Sequence, residues 1–293
     1  MNRRVIFYET RNLKHLKNIC NQYHDLGYET EILTEKYLET SSEWKDFQSN
    51  YKHASTNHEA FELACFARYF ALNEYYKSGI ISIKEYVILS DSDVIPQFEK
   101  SEKIFLDKLQ DTFVASQNYI TINTLEPQYS PHFSIWNFEL LSSFIDHIID
   151  FYVNRYAESA GDIKARYERI GMNSSISDMT LLYEWVEKTK INFFNFSDFS
   201  LEHYTDHNIS SPYNVIGDNS DRSILIYNPF KQRIGYFSLR RRKCHWPVIL
   251  HVQGGKKRLI PLFYTSRLLF YIFVITWLFA DKLKLTKFVR GKK

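Results

Sequence analysis

Short apolar runs alternate with longer amphipathic stretches over most of the chain. The runs at 4–8, 28–33 and 86–89 predict buried strands, and the stretch at 12–25 between the first two predicts a helix. A second helix is predicted over 59–79, where one apolar face recurs at spacings of three and four residues: Phe61, Ala64, Cys65, Arg68, Leu72 and Tyr75. Strand, helix and strand joined by short connections predict an α/β fold with a Rossmann-like, mostly parallel sheet flanked by helices.

The second half of the chain continues this alternation. A strand is predicted over 112–116, and helices are predicted over 137–158 and 176–188, the latter capped by Ser175 or Ser177. The segments 222–227 and 234–239 predict a hairpin, and 248–252 predicts a late strand. In a parallel sheet, ligands bind at the carboxyl ends of the strands, so we expect residues 8–10 and 91–93 to lie at one edge.

The strand at 86–89 runs into the sequence Asp91-Ser92-Asp93. Alternate side chains of an extended chain point the same way, so two carboxylates meet at this strand end. A hard divalent cation relieves their repulsion, because Mg²⁺ and Mn²⁺ prefer oxygen ligands. The alternative interpretation is an ordinary turn, since Asp is a common turn residue.

Two further elements add to this constellation. Arg68 lies on the otherwise apolar face of the second helix, where a buried arginine needs an anionic partner: a nucleotide, Asp91 or a purely structural carboxylate. Far along the chain, His251 ends a strand and is followed by Gly254 and Lys257. An imidazole, a backbone without side chains and a point charge suit a metal-bound diphosphate, although a basic surface loop would have the same composition.

In this order, the motifs resemble those of metal-dependent glycosyltransferases of the GT-A fold, in particular the glycogenin and bacterial lipopolysaccharide galactosyltransferase group. The resemblance covers about residues 1–260 and rests on "CFARYFAL", "YVILSDSDVIP", "SIWNFELL", "SISDMTLLYEW" and "HVQGGKK". The middle element lacks the Asn-Ala-Gly core of that group, and Met179 stands where the group has glutamine.

This resemblance implies a hexosyltransferase that moves a sugar from a nucleotide-sugar donor, UDP-type, to a glycan or lipid-linked acceptor in bacterial surface polysaccharide synthesis. It implies Mn²⁺ (or Mg²⁺) held by Asp91, Asp93 and His251. Donor binding would fall to Tyr8 and Thr10 near the base, Arg68 near the sugar phosphate, Asn137, and Gly254 and Lys257 on the diphosphate. Asp178 would contact sugar hydroxyls as the catalytic candidate, and its alternative is a helix N-terminal acid favoured by the dipole.

Charge is unevenly distributed. Residues 231–293 hold 16 of the 37 Lys and Arg but only one of the 34 acids, so this segment carries +15 and the rest −12. Such a segment favours an anionic surface as partner. Within it, 268–280 is uncharged but shorter than the roughly 20 residues of a bilayer span.

We therefore expect two regions: a GT-A domain over 1–258 and a membrane-associating apolar helix with a basic tail over 259–293. We expect this helix to lie in the membrane surface, with a core helix or a true span as alternatives. Residues 1–8 contain no apolar h-region, so we expect no secretory signal, and the three scattered cysteines are typical of reduced thiols. These features predict a peripheral or monotopic protein on the cytoplasmic face of the inner membrane.

Three other functions stay open. A metal-dependent nucleotidyltransferase would also use an acidic pair, but it would normally have a glycine-rich loop after the first strand, and "FYETRNLKH" has no glycine. The basic run 240–243 suits nucleic acid, yet the neighbouring apolar helix favours lipid, so we expect no nucleic-acid partner. A non-catalytic relative is the third.

Overall fold

The computed structural model describes residues 3–97, 119–125, 128–171, 175–195, 209, 223–238 and 242–282. The chain forms two compact units. The first contains 1–12, 23–92 and 106–195, and the second contains 13–22, 93–105 and 196–293. The strand predicted over 112–116 and the tail after Lys282 lie outside the described residues.

The described helices follow the predicted order closely. They are α1 Lys14–Asp25, α2 Ser42–Asn50, α3 Glu59–Lys77, α4 Phe138–Asp150, α5 Tyr156–Arg169, α6 Asp178–Thr189, α7 Ile260–Thr265 and α8 Arg267–Lys282. A π-helical turn, Phe151–Arg155, joins α4 to α5, and 3-10 helices cover Glu35–Tyr37 and Gly254–Leu259. The Ser177 hydroxyl caps α6, so of the two predicted capping residues, Ser175 and Ser177, the second is the one observed.

The described strands are β1 Arg4–Tyr8, β2 Glu29–Leu33, β3 Val87–Ser90, β4 Val94–Pro96, β5 Tyr119–Leu125, β6 Gln128–Ser130, β7 Phe133–Trp136, β8 Asn192–Asn195, β9 Ser223–Asn228, β10 Arg233–Ser238, β11 Lys243–His245 and β12 Ile249–His251. The predicted hairpin is confirmed as the antiparallel pair β9–β10, in which Ser223 faces Ser238.

The first unit is built on a four-stranded sheet in the order β2-β1-β3-β7. β1 pairs in parallel with β2 and with β3, where Phe7 faces Ser90, so the expected α/β sheet is confirmed for these strands. β7 adds an antiparallel edge, with Phe133 opposite Ser90. The three-stranded sheet β6-β5-β8 contains both parallel and antiparallel pairs, so the described sheets of this unit are less uniformly parallel than the sequence predicts.

The burial of helix α3 differs from the single apolar face that the sequence predicts. Phe61 is 52% exposed, and Ala64 is exposed as well, whereas 66–73 is buried on every side. A helix that is buried on every side is typical of a core position. The middle of α3 packs with α4, α6 and β1, and its two ends reach solvent.

The second unit has a core of its own. Its central residues are Ile95 of β4, Leu250 of β12, Ile234 and Tyr236 of β10, and Phe270 and Val274 of α8. β4 and β12 form an antiparallel pair in which His251 faces Val94. Among the helices of the described ranges, none combines the length and apolar composition needed to cross a bilayer.

Candidate metal and diphosphate site

The acidic triplet lies where β3 ends, as predicted. All four residues of β3 are buried, and the Asp91 amide donates to the carbonyl of His132 at 2.9 Å. The chain then turns at Ser92 and Asp93 and enters β4. Asp91 is about one-third exposed and Asp93 is 3% exposed, so the two carboxylates have different surroundings.

Asp93 meets the late basic motif within the second unit. The Val252 amide donates to the Asp93 carbonyl at 3.0 Å, which extends the β4–β12 pairing by one residue. This register brings His251 Nε2 to 3.6 Å from Asp93 Oδ1. Lys257, one turn into the 3-10 helix after β12, places Nζ 2.6 Å from Asp93 Oδ2.

These neighbours control the charge of Asp93. Burial alone would raise the pKa of its carboxyl, but His251 and then Lys257 more than offset burial and lower that pKa below its ordinary value. The imidazole is held on its other side, where Nδ1 lies 3.3 Å from the side-chain nitrogen Nε2 of Gln253. Asp93 is therefore a carboxylate at neutral pH, with a ring nitrogen directed toward it.

The donor set fits a divalent cation. Asp93 and His251 of the second unit supply a carboxylate oxygen and a ring nitrogen 3.6 Å apart. Asp91 and Asp93 are kept near each other by the chain, with Ser92 alone between them. Two carboxylate oxygens and an imidazole nitrogen are donors that Mn²⁺ accepts, and Mg²⁺ accepts the oxygens.

Arg68 connects two acids of the first unit. It is 7% exposed, and its guanidinium donates to Asp91 Oδ1 at 2.5 Å and to Asp178 Oδ2. The Tyr69 hydroxyl also donates to Asp178 Oδ2, at 3.1 Å. Of the partners considered from sequence, carboxylates are the ones observed, including Asp91. Asp178, 2% exposed at the start of α6, was not predicted to share this arginine.

The first strand brings Tyr8 and Thr10 to the same sheet edge as Asp91, because β1 and β3 run in parallel. Tyr8 is half-buried, and burial followed by the charges of Glu35 and Glu9 raises the pKa of its phenol to about 12. Thr10 is exposed. Their proximity to a nucleotide base stays a prediction.

Sequence reasoning missed Glu9, which lies between these two residues. Glu9 is 6% exposed, accepts a 2.6 Å hydrogen bond from the Ser92 hydroxyl and pairs with Arg11. Burial would raise the pKa of Glu9, but hydrogen bonds from Arg11 and Ser92 lower it. An acid immediately after a buried strand is the signal that could have found it, as it found Asp91.

Asn137 has a local structural role. Its side-chain oxygen accepts from the Leu140 amide at 2.8 Å and caps α4, while its side-chain nitrogen donates to the Tyr86 hydroxyl at 3.1 Å. Gly254 begins the 3-10 helix that carries Lys257. Donor binding by Asn137 and Gly254 stays a prediction.

The sequence matches no protein-family model and no curated protein. Solved structures with a similar arrangement include a glycosyltransferase involved in glycosylation of the major capsid of PBCV-1, at 10% identity and TM-score 0.36, covering 66% of this chain and 81% of that one. Mouse xyloside xylosyltransferase 1, apo form, is 10% identical with a TM-score of 0.40, and the match covers 67% of this chain and 85% of that one. The apo-form glycosyltransferase GlyE in Streptococcus pneumoniae TIGR4 is 11% identical with a TM-score of 0.40, and the match covers 96% of this chain and 64% of that one. Likeness at this level does not assign the chain to a family.

Proposed function

We propose that this chain is a metal-dependent glycosyltransferase that moves a sugar from a nucleotide-sugar donor, UDP-type, to a glycan or lipid-linked acceptor. The observation that carries the proposal is the meeting of Asp93 with His251 and Lys257. Two segments far apart in sequence supply a carboxylate, an imidazole and an ammonium within a few ångströms. With Asp91, two residues before Asp93 in the sequence, they would offer ligands for a cation and a positive group for a phosphate.

Asp91, Asp93 and His251 would hold Mn²⁺ or Mg²⁺, which when bound neutralises the charge of a departing diphosphate. The ammonium of Lys257, about one-third exposed, would donate to a diphosphate oxygen, and the Gly254 backbone would allow close approach. The Lys257 ammonium would stabilise the negative charge that grows on the diphosphate as the bond to the sugar breaks.

The sugar-proximal roles follow the same logic. Asp178 would accept hydroxyl hydrogen bonds from donor or acceptor, with Arg68 fixing its orientation through the pair they form. Tyr8 and Thr10 would lie near the base, and Asn137 would contact the donor while capping α4. Both inversion and retention are compatible with these residues, and transfer needs no proton donor when the leaving group is a metal-bound diphosphate.

The test is a panel of nucleotide sugars measured for hydrolysis and for binding, with Mn²⁺ and with chelator. Asp93→Asn should abolish the metal-dependent signal, because it removes a charged ligand and leaves His251 without its partner. Asp46→Asn, an exposed acid on α2, is the matched control and should behave as wild type. Equal metal-dependent binding in Asp91→Asn, Asp93→Asn and wild type would refute the site.

Surface association is a second part of the proposal. Helix α8 buries Phe270 and Val274 in the core of the second unit, yet its outward face is also apolar. Leu268, Leu269, Ile272 and Phe273 are 45–49% exposed and occupy one stripe. The segment 231–293 that contains them is strongly basic. We propose that this stripe lies on the anionic cytoplasmic face of the inner membrane, near a lipid-linked acceptor of surface polysaccharide synthesis.

Sedimentation with vesicles tests this part separately. Full-length protein should bind phosphatidylcholine vesicles that contain phosphatidylglycerol, and Leu269→Glu with Phe273→Glu should weaken binding at least about tenfold. Ile83→Glu, at an apolar position of the first unit that is 59% exposed, is the control. Wild-type binding by the double variant would refute the assignment.

A further inference from the structure

Asp93 contacts two basic side chains of the second unit. Its Oδ2 atom pairs with Lys257 Nζ at 2.6 Å, while its Oδ1 atom faces His251 Nε2 at 3.6 Å. A cation bound by this carboxylate needs an oxygen lone pair directed at it. Lys257 holds the oxygen with the shorter contact, so the ammonium and a metal ion draw on the same carboxylate charge.

The two members of this ion pair differ in freedom. The Asp93 side chain is 4% exposed, and its backbone carbonyl accepts from the Val252 amide, so the acid is fixed in the β4–β12 ladder. The Lys257 side chain is 34% exposed. A flexible four-carbon stem lets an ammonium move several ångströms without moving the backbone. When the pair separates, it is Lys257 that leaves.

We propose that Lys257 competes with the divalent cation for Asp93, and that a nucleoside diphosphate ends this competition by drawing Lys257 onto its phosphates. This inference rests on the proposed function and adds a property to it: cation and nucleotide bind cooperatively because one lysine opposes the first and binds the second. Cation affinity without nucleotide is then held low. The nucleotide then strengthens cation binding by some factor, and linkage requires that the cation strengthen nucleotide binding by that factor.

Electrostatics gives the direction of each effect. A lysine ammonium beside a bound cation repels it, since like charges a few ångströms apart raise each other's free energy. A diphosphate placed against both cations reverses the sign of the lysine's contribution. Removing the lysine charge should therefore help the cation alone and harm the cation–nucleotide pair. A residue that only bound phosphate would show the second effect without the first.

The experiment measures Mn²⁺ affinity of the full-length protein by titration calorimetry and by the electron paramagnetic resonance signal of free Mn²⁺, with and without UDP. In Lys257→Met, Mn²⁺ alone should bind about tenfold more tightly, equivalent to about 1.4 kcal/mol. The gain in Mn²⁺ affinity on adding UDP should fall at least about tenfold relative to wild type. Lys257→Arg, which keeps the charge, should stay near wild type in the Mn²⁺ measurement.

Arg258→Met is the matched control, because the neighbouring residue loses the same charge at an exposed position of the same 3-10 helix. Unchanged or weaker binding of Mn²⁺ alone in both Lys257→Met and Lys257→Gln, with Asp93→Asn abolishing binding, would overturn the competition. An equal gain in Arg258→Met would also overturn it. If UDP alters Mn²⁺ affinity in none of the proteins, the nucleotide function fails, while the measurement with Mn²⁺ alone still decides the competition.

Discussion

Replacing Arg68 by methionine should strongly destabilise the first unit. Arg68 is 7% exposed, Asp178 is 2% exposed, and the guanidinium also bonds Asp91. Methionine approximates the volume of the arginine stem, so the main loss is the charge. Removing one partner of a buried ion pair costs about 3–5 kcal/mol, because the remaining acid stays buried without a counter-ion.

This cost can be read from thermal unfolding. For a unit of about 150–250 residues, each kcal/mol lowers the melting temperature by about 2–4 °C, so a fall of at least about 6 °C is expected. Circular dichroism of the full-length protein at pH 7 is the assay. The second unit provides an internal reference if its transition is separate.

Arg166→Met is the matched control. Arg166 pairs with Glu184 in the same unit, but the two side chains are 29% and 25% exposed, so solvent screens the pair and its loss should cost less than about 1 kcal/mol. Adding Asp178→Asn to Arg68→Met should recover part of the loss, since the uncompensated charge is gone. Equal shifts for Arg68→Met and Arg166→Met would refute this account of buried charge.

Three further predictions concern stability. Burial lowers the pKa of His147 from 6.5 to about 4, with further contributions from Arg155 and Lys188. As the pH falls, this histidine therefore takes up a proton in the unfolded chain before it does so in the folded one. The free energy of unfolding should decrease by up to about 3 kcal/mol between pH 6.5 and pH 4. His147→Gln should flatten this pH dependence of the melting temperature, and exposed His24→Gln should not. Gly235→Ala should destabilise the protein by more than about 2 kcal/mol, because the new Cβ would lie 2.4 Å from the His245 carbonyl oxygen and 2.5 Å from the Trp246 ring. The control is Gly161→Ala, whose Cβ would meet nothing within 4 Å. Urea unfolding measures both free energies of unfolding. Asn137→Ala should cost about 1 kcal/mol as a lost cap, like Ser177→Ala; an unchanged KM for the donor would contradict its predicted binding role.

Local patterns carried much of the fold. The alternation of apolar runs and amphipathic stretches determined β1, α1, β3 and the β9–β10 hairpin, because burial on one face or both leaves a period in the sequence. The same patterns predicted that an acidic pair ends a buried strand and that His251 ends another. α3 shows their limit, since a core helix has no polar face and its exposed end at Phe61 carries no signal.

Partners that come from distant segments were decided by the tertiary structure. The motif resemblance implied that His251 joins Asp93 and that Lys257 binds a diphosphate. The register of β12 on β4 brings His251 to Asp93, and Lys257 also pairs with this acid, which was not predicted. The sharing of Arg68 between Asp91 and Asp178 depends on how α3 packs against α6. The bond from Ser92 to Glu9 depends on the pairing of β1 with β3. Sequence determines which side chains need a partner, since buried charge is costly; the packed chain determines which partner each one finds, because that depends on contacts between residues far apart in sequence.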